Sequence, residues 1–160
     1  EGWGQFKTKE IYNWAASLDS TRLLGGPSGG NYFPVGHTRD HHRYPGPEMP
    51  PPDPDRVLIL GEFGGLGLPL DNHLWQKDQN WGYIAIQNQK DLINSYLGLI
   101  EKLKSLVSQG LAGAIYTQTT DVEGEVNGIM TYDRRVIKLK NNKIKKAHKS
   151  LFDHHGASVN

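Results

Sequence analysis

The sequence predicts an α/β fold built on parallel strands. Three observations lead there. Two short runs, 57–60 and 111–118, carry no charge and read as strands buried on both faces. Between them, Leu92, Ile93, Tyr96, Leu97, Ile100, Leu103 and Val107 recur every three or four residues, the spacing of a long amphipathic helix. Helical and strand-like segments also alternate along the chain, as parallel strands joined by crossovers require.

The elements follow in order. Phe6, Ile11, Trp14, Ala15 and Leu18 share one helical face, which predicts a helix over 5–18. A short run at 21–24 leads into Gly25-Gly26-Pro27-Ser28-Gly29-Gly30, a turn or loop. Residues 37–44 form a strand rich in hydrogen-bonding side chains. Six prolines and one glycine in 45–54 leave an extended connection with no room for a helix. The strand 57–60 is closed by Gly61, the long helix stops at Gly110, and 111–118 is the next strand. A basic helix over 136–152 ends the pattern, and no internal repeat is visible.

Composition excludes several classes. Eighteen Lys and Arg against 17 Asp and Glu leave a net charge of +1, no basis for attraction to nucleic acid or an acidic membrane. With 36% hydrophobic and 9% aromatic residues the chain is not disordered, and 160 residues predict one domain that buries about 68–70% of its unfolded surface. No segment reaches the roughly 20 apolar residues of a membrane span. Without cysteine there is no disulfide, thiolate metal site or cysteine nucleophile. The sequence reads without a secretory leader, which carries little weight because it opens at Glu1 inside a motif.

In parallel α/β folds, chemistry gathers at the carboxyl ends of the strands. Glu62 stands just after 57–60, beyond Gly61, and before Phe63-Gly64-Gly65. A charge at the exit of an apolar strand is costly to desolvate without partners or a task. Alone, it reads equally as a surface carboxylate in a glycine-rich turn.

Four stretches resemble the catalytic barrel of glycoside hydrolase family 2, the β-galactosidases, β-glucuronidases and β-mannosidases. Glu1-Gly2-Trp3-Gly4-Gln5-Phe6 is similar to the end of that family's Asn-Glu motif after the fourth strand, whose Glu is the general acid/base. Asp19-Ser20-Thr21-Arg22-Leu23 resembles the entry into the fifth strand. Leu60-Gly61-Glu62-Phe63-Gly64-Gly65 is similar to the end of the seventh, which carries the nucleophile. The stretch from Tyr116 through Gly128 to Tyr132-Asp133 resembles the eighth strand and its loop. The resemblance implies the carboxyl half of a (β/α)₈ barrel, from the end of strand 4 through helix 8, in one partial catalytic domain over 1–160. It also implies a retaining β-glycosidase using neither metal nor organic cofactor.

On that resemblance Glu62 is the nucleophile and Glu1 the acid/base, about 5–5.5 Å apart in a retaining pair. Burial and the charge of Glu62 would raise the Glu1 pKa, although a terminal ammonium at Glu1 would oppose the rise. Tyr44 stands where relatives place a tyrosine that hydrogen-bonds the nucleophile; the other reading is a packing tyrosine before a proline turn. His42, two residues earlier, would share its side of the strand and contact sugar hydroxyls. His37, His41 and His42 also suggest a metal, but the strand-like stretch and missing carboxylate or Cys ligands argue against one.

Tyr116 and Gln118 alternate on the implied eighth strand and would face the barrel mouth. Many relatives have Trp near there, so the sugar stays open. Asp121, Glu123 and Glu125 read as a solvated acidic loop. Trp3 lines the pocket or packs under the first helix. Trp75 and Trp81 are subsite walls or loop anchors. The lysines of the last helix, Lys138 among them, read as a solvated outer face and not a nucleic-acid site.

The expected partners are a carbohydrate substrate and either the missing amino-terminal half of a barrel or a second copy, since half a barrel leaves open sheet edges. With half the pocket missing, the isolated chain is expected to show no turnover. The rival readings are a non-catalytic carbohydrate-binding or interaction fragment of a truncated barrel, and a basic-helix binding module.

Overall fold

A computed structural model describes residues 4–29 and 33–152. Chain order gives helix α1 (Thr8–Leu18), strands β1 (Thr38–Arg43), β2 (Val57–Gly64), β3 (Leu66–Gly67) and β4 (Ile84–Ala85), helix α2 (Gln89–Ser108), strand β5 (Gly113–Thr117) and helix α3 (Asn142–Ser150). One parallel sheet has the order β1-β2-β5, and β3 pairs with β4, also in parallel. No helix of the described residues is long and apolar enough to cross a membrane.

The fold is mixed α/β, but it is not the carboxyl half of a (β/α)₈ barrel. Among the described residues, three strands and a separate two-stranded pair, served by three helices, are too sparse for that architecture. The entry into a fifth strand that the resemblance implies at 19–23 does not form. Asp19 accepts hydrogen bonds from the Thr21 backbone and hydroxyl at 2.8 and 2.6 Å, which holds the chain in a turn. Only an isolated bridge from Gly25 to Thr38 follows. The proline-rich connection puts no helix between β1 and β2, so α2 is the one helix that crosses between strands of the main sheet. Helix α1 buries none of its residues and leaves Ile11, Trp14 and Leu18 at least half exposed.

Helix α2 accounts for most of the core. Its buried face is Leu92, Tyr96, Leu99, Ile100 and Leu103, spaced as one helical stripe. Asn88 caps its start by accepting from the Asp91 N–H at 3.0 Å. Gly110, at φ 104°, ends it: Gly110 N bonds Val107 O and Leu111 N bonds Leu106 O, each at 3.0 Å. The stripe packs with Leu60 and Phe63 of β2, Leu66 of β3 and Ile144 of α3. The Tyr96 hydroxyl meets His148 Nε2 at 2.9 Å and ties α3 to α2.

Helix α3 begins later than the basic run predicts. Residues 136–141 stay outside it, with Ile137 bridged to Met130, and Asn141 caps its start. Lys138 is therefore not on a solvated helical face. It is 1% exposed, and its ammonium donates to Asp121 Oδ1 at 2.7 Å and to the Leu68 and Val126 carbonyls at 2.9 Å each. Asp121, expected in a solvated loop, is buried as its partner.

Strand β2 runs past Gly61 instead of ending there. The β1–β2 register slips at that point: His41 pairs with Leu60, but His42 pairs with Glu62. Gly61 is thus the extra residue of a bulge, and its N–H donates to Asp40 Oδ1 at 2.8 Å. The slip breaks the two-residue alternation, so Leu60 and Phe63 both enter the core while Glu62 is turned outward. A side chain at Gly61 would strike the Asp40 carboxylate. Gly61→Ala is expected to destabilise the protein by about 1–3 kcal/mol, read as a lower urea midpoint.

Candidate functional site

The parallel pairing of β1 and β2 brings their carboxyl ends to one edge, and the side chains there converge. The Tyr44 hydroxyl donates to Glu62 Oε2 at 2.5 Å. His42 Nδ1 lies 3.3 Å from the same oxygen, and His42 Nε2 lies 4.0 Å from Asp40 Oδ1. Asp40 and His42 stand two apart on β1, and Asp40 in turn accepts from the Gly61 bulge. A run Asp40–His42–Glu62–Tyr44 therefore lines the sheet edge. Tyr44 is fixed from behind, because Gly64 N bonds the Pro45 carbonyl at 2.8 Å. Gly29 packs against the His42 ring, where an added Cβ would approach Nδ1 to 3.2 Å.

Electrostatics divides the roles. Burial, then the hydrogen bond to Glu62, raises the Tyr44 pKa, so the phenol keeps its proton and remains a donor. Burial also raises the Asp40 carboxyl, with the Glu62 charge adding to the rise; the Gly61 N–H and His42 oppose it. The Glu62 side chain is 29% exposed, enough for a ligand to reach it.

An aromatic wall stands behind Tyr44. The rings of Tyr44 and Tyr83 stack with centroids 3.6 Å apart and planes 2° from parallel, and Trp81 meets Tyr83 edge-on at 5.6 Å. Gly65, at φ 65°, lets the wall form: a Cβ there would reach within 2.9 Å of the Tyr44 ring and closer to Tyr83.

No protein-family model matches this chain, and no curated protein matches it significantly. The family 2 resemblance thus rests on its motifs alone.

Glu62, Tyr44 and His42 come together. Glu1 and Trp3 lie outside the described residues. Tyr116 does not face the site. Its ring packs edge-on against Phe63 and Tyr96, at 5.8 and 5.0 Å, because β5 turns that residue towards α2. Gln118 is tied into the following loop, donating to Asn127 Oδ1 at 2.9 Å, while Asn127 donates to Glu125 at 2.8 Å. Trp75 packs edge-on against Tyr132, apart from the Tyr44 wall. His37 and His42 diverge. His37 accepts from Leu24 N at 2.9 Å, while His42 meets Glu62. Among the described residues, no three His, Asp or Glu side chains gather as a metal site would require. A groove of about 280 Å³ between α1 and residues 24–27 holds no carboxylate, imidazole or amine.

Sequence reasoning missed Asp40 and Tyr83. Asp40 had a signal, since strand alternation puts it on the side of His42. Tyr83 had none, because only the folded loop brings it onto Tyr44.

Proposed function

We propose that the protein carries the nucleophile of a retaining β-glycosidase, with Glu62 in that role. The observation that carries the reading is the Tyr44 hydroxyl bonded to Glu62 at 2.5 Å, at the carboxyl end of two parallel strands. A phenol that keeps its proton orients a carboxylate, and His42 supplies a second polar contact on the same oxygen.

The reaction is double displacement. A Glu62 oxygen attacks the anomeric carbon, the glycosidic C–O bond breaks, and an acid protonates the departing oxygen. The motif resemblance gives that acid as Glu1. Water then attacks the glycosyl ester and gives its proton to Glu1. Glu62 leaves as a carboxylate, and the sugar departs with its β configuration kept.

The test is covalent trapping. The 160-residue chain, and any longer polypeptide containing it, is treated with activated 2-deoxy-2-fluoro-β-glycosides, digested and mapped by peptide mass. A fluoroglycosyl adduct on Glu62 is expected. An adduct elsewhere, or none in a polypeptide that hydrolyses aryl β-glycosides, overturns the reading.

Glu1→Ala has a distinct signature in a polypeptide that turns over. An activated aryl glycoside needs little protonation, so the glycosyl–enzyme should form and then stall. Azide should restore turnover with the β configuration kept, because it attacks without a general base. Product analysis by NMR checks this, and an inverted azide product would remove Glu1 from its role.

A further inference from the structure

We propose that Trp81 and Tyr83 form a carbohydrate-binding corner that seats a β-linked pyranose by its apolar face beside Glu62. The ligand class rests on the glycosidase reading above; the geometry does not. Trp81 and Tyr83 are 49% and 48% exposed, and their rings meet edge to face at 68°, so they present apolar surface in two planes instead of one flat patch. Tyr83 lies on Tyr44, whose hydroxyl is on Glu62, so the corner is one ring away from the carboxylate. A sugar ring has one face of C–H groups and a rim of hydroxyls. Aromatic carbons beside Glu62, His42 and Tyr44 match both surfaces.

The corner is built before a ligand arrives. Trp81 N donates to Gly124 O, and Val126 N donates to Trp81 O, both at 2.8 Å. On the other side, Gly82 lies so close to Gly67 that a Cβ on Gly67 would come within 2.9 Å of the Gly82 Cα. Ile84 N then bonds Gly65 O at 3.1 Å. The backbone carrying both rings is held at each end, so little ordering opposes binding.

The test reads binding, not turnover. The 160-residue chain is titrated with methyl β-pyranosides of gluco, galacto and manno configuration, followed by saturation-transfer NMR. At least one should bind in the millimolar range, and Glu62→Gln should still bind it. Trp81→Ala and Tyr83→Ala should each weaken binding about tenfold or more, while Trp75→Ala leaves it unchanged. Trp81→Phe keeps the packing on Tyr83 with a smaller face and should weaken binding about threefold, which decides the matter where the alanine variant does not fold. Absence of binding by the folded protein overturns the proposal. So does binding that survives Trp81→Ala, matches wild type in Trp81→Phe, or falls equally in Trp75→Ala. A Glu62 adduct with binding indifferent to Trp81 overturns the corner alone. Trp81-dependent binding with no adduct in a polypeptide that hydrolyses aryl β-glycosides overturns the glycosidase reading alone.

Discussion

Lys138→Met should cost about 3–5 kcal/mol of folding stability, the usual result of removing one partner from a buried ion pair. For a domain whose total stability is about 5–15 kcal/mol, that is a large share. Methionine fills a similar volume but leaves three acceptors behind. The Leu68 carbonyl loses its donor, the Val126 carbonyl keeps only the Leu68 N–H at 2.9 Å, and Asp121 keeps only the Gly128 N–H at 2.8 Å. Asp121 Oδ2 is already buried with no hydrogen-bond partner among the described residues. Burial lowers the Lys138 pKa and raises that of Asp121, with pairing opposing both shifts. The intact pair is therefore no large net stabiliser; the loss comes from stranding a carboxylate. Asp121→Asn should be milder, since its amide oxygen still accepts from Lys138 and Gly128. Urea denaturation measures both. The Lys138→Met deficit should shrink as the pH falls, because a stranded Asp121 with a raised pKa takes up a proton in the folded state before the unfolded chain does. A deficit that grows on acidification would refute that account. Val126 also bonds Trp81, so the variant should loosen the aromatic corner as well.

This pair shows where sequence reasoning stops. Lys138 stands among lysines and Asp121 among acids, and each local window reads as a solvated face. Only the folded loop brings the two together. The same limit applies to the sheet. The apolar run 57–60 and the stripe of α2 were legible because their own periodicities fix which side is buried. The end of β2 was not, because the Gly61 bulge depends on the carboxylate of Asp40 on a neighbouring strand. The strand entry implied by resemblance at 19–23 failed through a short-range bond, the Asp19 side chain closing a turn. The half-barrel expectation added strands by resemblance that this turn and the proline-rich connection do not supply. The Tyr44–Glu62 contact, by contrast, was implied by the family resemblance alone, and the structure has it at the ends of adjacent parallel strands.

Glu62→Gln should lower glycoside turnover by about 10⁴-fold or more in any polypeptide where these residues support it, because it removes the atom that forms the intermediate. Glutamine keeps the size and can still accept from Tyr44, so folding should be unchanged and the loss confined to chemistry. Tyr44→Phe makes a sharper comparison. It deletes only the 2.5 Å donor and leaves the ring stacked on Tyr83. A hydrogen bond to a charged acceptor is worth about 1.5–3 kcal/mol, so the variant should lose about ten- to a hundredfold in the first-order rate of covalent trapping. The loss should fall on that rate and not on sugar affinity, because the aromatic surface is untouched. The measurement is the time course of fluorosugar labelling at several concentrations, which separates binding from bond formation. Wild-type labelling by Tyr44→Phe would return Tyr44 to a packing role. Wild-type turnover by Glu62→Gln would remove Glu62 from the chemistry altogether.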